Sequence, residues 1–196
     1  MRLPGRGGGP VDWLIVGLGN PGREYEGTRH NIGFEVANEL AGRWELGKGK
    51  VMYRGLLRQG RAGVRGPRVA VLLPQTYMNE AGRSVSAARG AAKVELDRLL
   101  VIHDEIDLPF GEIRARLGGG LAGHNGLKSV RQGVGSADFG RVRIGVGRPP
   151  TTDPDLVASY VLSRFREPRQ EVDELVVKAA ETAERIVRGE DGADLD

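Results

Sequence analysis

The sequence predicts an α/β domain. Three observations carry that expectation: short aliphatic runs closed by turn signals recur along the chain, segments with helical spacing separate them, and 196 residues suit one domain of ordinary size. Trp13 to Val16 is an apolar run stopped by a glycine-rich turn, the pattern of a buried strand. His30 to Ala41 follows, with Ile32, Val36, Ala37 and Leu40 at helical spacing. Val51 to Arg58 and Arg68 to Leu73 are aliphatic and end in turn residues, so each reads as one strand. Thr76 to Arg89 reads as a helix with Tyr77 and Met78 near its start.

Leu99 to Asp104 is an apolar run ending in carboxylates, and Glu112 to Leu117 alternates polar with apolar residues, so both are expected to be strands. Asn125 to Gln132 opens a helix after glycine, and Val142, Ile144 and Val146 alternate through a last strand. Pro168 to Arg188 is the longest helix; Val172, Leu175, Val176, Ala179, Ala183 and Ile186 form one stripe that reads as core packing. No internal repeat interrupts this order. The 31 glycines and 10 prolines punctuate a fold without reaching low-complexity composition.

Composition narrows the classes of function. No run approaches the ~18 apolar residues of a membrane span, and Met1 to Pro10 lack the apolar core of a secretory signal, so a soluble cytoplasmic protein is expected. The absence of cysteine removes disulfides, thiolate metal sites and cysteine nucleophiles together, leaving His30, His103 and His124 for chemistry near neutral pH. The net charge of +3 is uneven: Glu167 to Asp196 holds ten acids and four bases, so the preceding residues carry +9. Of the 29 cationic residues 24 are arginine, which suits either a polyanionic partner or an arginine-biased solvated surface.

In an α/β layer, function gathers at the carboxyl ends of the strands. Gly17-Leu18-Gly19-Asn20-Pro21-Gly22 spells G-x-G-x-x-G after the first strand. A dinucleotide site needs a helix beginning inside that turn, whereas Arg23 to Arg29 intervene here and no acidic residue closes a second strand, so a nicotinamide enzyme is a minor alternative. His30 and Asn31 begin the first helix and face the same strand-end surface as Asn20. Asp104 emerges at the end of its strand; adjacent residues point to opposite faces, which assigns Asp104 to a cleft and His103 to packing. Glu105 and Asp107 follow in a turn closed by Pro109 and Gly111 and read as solvated turn residues in preference to metal ligands.

Gly118 to Gly126 leads glycines into a helix through His124 and Asn125, and Asn79 sits at another helix start, where asparagine is often only a cap. One histidine base, one carboxylate to orient it and three amides are thus available, with no G-x-S-x-G elbow and no H-E-x-x-H pair. Water is the natural attacking group. The set suits metal-free hydrolysis of an activated acyl ester with no cofactor.

These motifs closely resemble the bacterial-type peptidyl-tRNA hydrolases. The resemblance runs in order through Val16-Gly17-Leu18-Gly19-Asn20-Pro21-Gly22, Tyr25, Thr28-Arg29-His30-Asn31, Tyr77-Met78-Asn79, His103 to Pro109, Gly118 to Leu127 and Arg143 to Gly147. It implies a single α/β domain, residues 12–188, with a mixed twisted sheet packed by helices, between a flexible extension (1–11) and an acidic tail (189–196). It also implies cleavage of the ester joining a peptide, or an N-blocked amino acid, to the 3′ end of tRNA, which recycles tRNA from stalled translation. His30 matches the family's general base and Asp104 the aspartate that orients it. Asn20, Asn79 and Asn125 match substrate-positioning asparagines, Tyr25 and Met78 cleft-lining residues, and His124 a residue at the cleft entrance.

Arg116 and Arg143, with Arg114 beside them, fall where the family binds tRNA phosphate. The implied protein is a monomer whose partner is peptidyl-tRNA, with no membrane, obligatory protein partner or metal. Where family members commonly end in a basic segment, Gly189 to Asp196 has four acids and no base, a departure that weighs against borrowing a tRNA contact from the family's tail. A non-catalytic RNA-binding module on the same scaffold would be expected to have lost the base or an amide, and this chain keeps them all.

Overall fold

A computed structural model describes residues 11–190. The domain ends expected at residues 1–11 and 189–196 therefore lie outside the described residues, save for Val11, Gly189 and Glu190. Seven strands form one sheet: β1 (Trp13–Gly17), β2 (Lys50–Met52), β3 (Gly55–Arg61), β4 (Arg68–Pro74), β5 (Leu99–Glu105), β6 (Ile113–Leu117) and β7 (Gly140–Gly145). Five α-helices pack around it: α1 (Ile32–Arg43), α2 (Ala81–Ala92), α3 (Asn125–Val134), α4 (Pro154–Val161) and α5 (Arg169–Arg188).

The strand order is β2-β3-β4-β1-β5-β7-β6. The four central strands are parallel, and antiparallel pairs close both edges, so the sheet is mixed as expected. Helix α1 and the apolar stripe of α5 cover one face, where Ile15, Leu100, Ile102, Val142 and Ile144 are fully buried. On the other face Leu14, Val16, Leu99 and Val101 pack with residues of α2 and α3 such as Val85, Leu127 and Val130. β1 lies between β4 and β5; α1 follows β1 on one face and α2 follows β4 on the other, and a crevice opens beyond the carboxyl ends of β1 and β5. Glycine makes the closest approach there possible: a Cβ on Gly33 would meet Leu18 O and Ile102 O at 2.5 Å, so α1 sits directly on the strand ends.

Two expectations need correction. Val51 to Arg58 is a hairpin, with β2 and β3 reversing through Tyr53 and Arg54, both at positive φ (53° and 56°) without a glycine or asparagine at either position to announce the turn. Helix α4 arises in a stretch that carried no helix expectation, capped by Asp153, whose carboxylate accepts from the amides of Asp155 and Leu156, with Pro154 at the first helical position. Smaller differences fall at the site itself. His30 lies in a 3₁₀ turn (Arg29–Asn31) before α1, and Met78–Glu80 form another before α2. No helix among the described residues is long and apolar enough to cross a membrane.

Candidate active site

A cleft of about 650 Å³ lies over the ends of β1 and β5. Asn20, Tyr25, His30, Met78, Asn79, Asp104, His124 and Asn125, eight residues expected at the site from six stretches of sequence, all line it. At its floor His30 Nδ1 is 2.9 Å from Asp104 Oδ1 and 3.0 Å from Oδ2. A carboxylate accepts only, so Nδ1 carries the proton and Nε2 is the nitrogen left to meet water. Burial opposes charge on His30, but the charge of Asp104 and its hydrogen bond outweigh that cost and raise the imidazole above its ordinary value. Burial would likewise favour a neutral Asp104, yet His30 and His124 hold it well below the usual carboxylate range.

The asparagines are built for different work. Asn20 is locked: Asn31 Oδ1 accepts from Asn20 N–H and Asn31 Nδ2 donates to Asn20 O, both at 2.9 Å. Met78 N–H then donates to Asn20 Oδ1 at 2.7 Å, which fixes the amide orientation and leaves Nδ2–H₂ for a ligand. The glycines around Asn20 thus support a clamped side chain, and α1 begins only at Ile32, too late for the turn to serve as a phosphate loop. Asn79 and Asn125 are exposed on the cleft and neither serves as a cap; the cap of α3 is His124. That leaves both amides uncommitted.

His103 packs away from the cleft, almost fully buried, as strand alternation requires. Its Nδ1 donates to Asp104 O, its Nε2 has no partner, and burial together with the neighbouring His124 pushes it down to about 3. Glu105 corrects an expectation. It is the last residue of β5, not a solvated turn residue: it is buried, pairs with Arg143 at 3.1 Å and lines the cleft. Asp107 is in the turn, paired with Arg148. His124 also differs, since it is largely buried with Nε2 2.9 Å from Asp104 Oδ1. The ligating atoms of His30, Asp104 and His124 lie within 4.8 Å of one another, close enough to share a cation, although each imidazole nitrogen facing the carboxylate already has a hydrogen-bond partner there.

The peptidyl-tRNA hydrolase family profile matches residues 14–194. The chain belongs to this family. A peptidyl-tRNA hydrolase from Geobacillus thermodenitrificans is 49% identical over 175 residues, spanning 89% of this chain and 92% of its own. One from Neisseria gonorrhoeae is 42% identical over 178 residues, spanning 90% and 91%. The crystal structure of peptidyl-tRNA hydrolase from Acinetobacter baumannii superposes with a TM-score of 0.81 at 36% identity, covering 91% of this chain and 89% of that one.

In this peptidyl-tRNA hydrolase fold the expected phosphate-binding arginines share one sheet face. Arg114 and Arg116 on β6 stand in register with Arg143 and Arg141 on β7. They are not equivalent. Arg143 is paired with buried Glu105 and Arg114 with Glu112, while Arg141 is buried and donates to the carbonyls of Gly119 and Gly120. Arg116 is exposed and has no hydrogen-bond or ion-pair partner among the described residues. Three cleft features escaped the sequence reading: Tyr77, 59% exposed at the rim, Lys128 on the outer side of α3, and the apolar face of α4 with Val157, Ala158 and Val161. The Tyr77-Met78-Asn79 motif held the first in plain view, and the Asp153-Pro154 cap was the available signal for the last.

Proposed function

We infer that the protein hydrolyses the ester between a peptidyl group and the 3′-terminal ribose of tRNA, with His30 as general base and Asp104 as its orienting carboxylate. The observation that carries this reading is the carboxylate placed on His30 Nδ1 at the floor of a cleft. His30 Nε2 takes a proton from water as the water oxygen bonds to the ester carbonyl carbon. The resulting imidazolium is stabilised by Asp104 and returns the proton to the ribose oxygen when the C–O bond breaks, releasing peptide acid and tRNA. Base catalysis of this kind contributes about 10²- to 10⁴-fold.

Asn20 Nδ2, Asn79 and Asn125 are neutral donors and acceptors suited to the carbonyl oxygen and peptide amides, and they place no competing charge beside the imidazolium. Tyr77 offers an exposed ring on which the terminal base can stack. The apolar wall of α4 suits peptide side chains. Arg116, with Arg143 and Arg114 behind it, supplies positive charge for acceptor-stem phosphates.

The test is release of tRNA from N-acetyl-aminoacyl-tRNA and from unblocked aminoacyl-tRNA by chelator-treated protein. Rapid turnover of the blocked substrate alone is expected. Activity lost on chelation and restored by a divalent ion would instead assign the chemistry to a cation held by His30, Asp104 and His124.

A further inference from the structure

His124 delivers both ring nitrogens to fixed partners. Its Nδ1 accepts from the backbone amides of Gly126 (3.1 Å) and Leu127 (3.3 Å), capping α3, so the ring proton of the neutral imidazole resides on Nε2. That N–H points at Asp104 Oδ1, 2.9 Å away, the same oxygen that lies 2.9 Å from His30 Nδ1. One carboxylate oxygen therefore serves two imidazoles. The loop that brings His124 there bends through Ala122 and Gly123, both at positive φ (47° and 74°), and Arg141 holds its far end by the carbonyls of Gly119 and Gly120. Asn125 follows His124 directly and lines the cleft.

We propose that His124 is a positioning residue for the hydrolytic base: by donating Nε2–H to Asp104 it limits how tightly the carboxylate holds the His30 proton. Through the same bond, the seating of the loop that presents Asn125 is felt at the base. The inference rests on the assignment of His30 as base. Physically, a neutral donor on the shared oxygen draws off part of its charge. Removing that donor leaves the full carboxylate to attract the imidazolium, so His30 should hold its proton to higher pH.

The other charged and titratable neighbours do not duplicate this role. His103 stands behind His124, edge-on at 5.1 Å between ring centroids, with Arg141 and Arg143 on its sheet face and Glu105 tied to Arg143. Tyr25, Tyr77, Lys128 and Arg148 line the cleft, and the cleft-facing residues of α4 carry no titratable group. Among the described residues only His30 and His124 hydrogen-bond the Asp104 carboxylate.

The experiment compares the full chain with His124→Asn, whose shorter amide oxygen can still cap α3 but whose nitrogen cannot span to Asp104. Imidazole ¹⁵N NMR of the unaltered protein should show His124 protonated on Nε2 and His30 on Nδ1 when both are neutral; the opposite tautomer at His124 overturns the proposal. In His124→Asn the His30 midpoint should rise by about half a pH unit or more, and the acid limb of kcat/KM should move with it, with KM within about twofold. An unmoved midpoint, or a loss confined to KM, makes His124 a helix cap or substrate contact and overturns the positioning role. If the variant fails to fold by circular dichroism, the tautomer measurement decides alone. Full turnover by His30→Ala would reject the base itself, an outcome separable from the NMR result.

Discussion

The two walls of the cleft are held by different means. On one side, Asp104 stands on β5, a strand buried along its whole length between two parallel neighbours, and Asn20 is clamped by Asn31 and Met78. On the other, α4 has no buried residue and is moored chiefly through Arg29. The Arg29 guanidinium donates to Ser163 Oγ (2.7 Å) and Arg164 O (2.8 Å), lies 4.1 Å from the Tyr160 ring centre and reaches Glu167 at 3.7 Å. A bridge between Thr28 and Arg164, the Tyr160 hydroxyl bond to Val146 O and the packing of Phe165 against Phe110 add to the attachment. The difference separates precision from adaptability: the groups proposed to react sit where the core fixes them, and the wall proposed for the variable peptide sits where fewer contacts hold it. Arg29 and His30 are adjacent in the chain, so one 3₁₀ turn serves both walls.

The largest effect should come from the fixed wall. His30→Ala removes the proposed base and should lower kcat by about 10²- to 10⁴-fold with tRNA affinity largely kept, as read by steady-state kinetics and filter binding. Asp104→Asn should follow, with a loss of about 10²-fold or more, because an amide has no charge to stabilise the imidazolium and, with its oxygen kept on the shared position, places N–H₂ where Oδ2 meets His30 Nδ1. Burial then acts unopposed on His30, so residual activity should have its acid limb shifted downward, the opposite direction from His124→Asn. A parent-like profile in Asp104→Asn would dissolve the distinction between the walls.

The α4 wall should answer differently. Arg29→Lys keeps the charge but loses the planar fork that holds several oxygens at once. KM for a blocked substrate with a bulky apolar side chain should rise about tenfold while kcat stays within about threefold, the signature of lost binding without lost transition-state stabilisation. Equal losses in kcat would show instead that the mooring fixes His30 itself.

Acid should weaken the fixed wall first. His103 is pushed down to about 3 in the folded protein, whereas the unfolded chain protonates it at its ordinary value of 6.5. Between those values the unfolded state binds the extra proton, so stability falls as pH drops from about 6.5 toward 3. Asp104 adds to the loss only at lower pH, as it protonates, and the raised His30 acts in the other direction, its contribution being lost as pH climbs through its folded value. Urea melts of His103→Leu should show a flatter acid slope than the parent. An unchanged slope would mean that His103 is solvated.

What the sequence made legible follows the same division. The buried parallel strands, the α5 stripe and the opposite faces of His103 and Asp104 follow from hydrophobic period, which burial enforces. Helix α4 did not, because eight residues without a buried stripe, preceded by two prolines and a threonine pair, read as a loop. The β2–β3 turn carried its glycine, Gly55, only after the two positive-φ residues Tyr53 and Arg54, and Glu105 was hidden because its partner Arg143 lies 38 residues away. The bond from His124 to Asp104 depends on how a glycine loop folds back over β5, a tertiary event with no local pattern.

The smallest effects concern tRNA, and they separate arginines that the sequence treats alike. A cation already paired with a carboxylate must give up that partner to take a phosphate, so its net contribution to counterion release is small. Arg114 and Arg143 are so paired, while Arg116 is exposed without a partner. Arg116→Ala should therefore weaken tRNA binding severalfold at low salt and reduce the salt slope of log K by about one. Arg114→Ala should change that slope little. Arg143→Ala should act mainly by leaving buried Glu105 unpaired at the cleft, lowering thermal stability as well as binding. Equal slopes in all three variants would mean that RNA binding breaks the Glu105 and Glu112 pairs, and the arginine face would then belong with the adaptable wall.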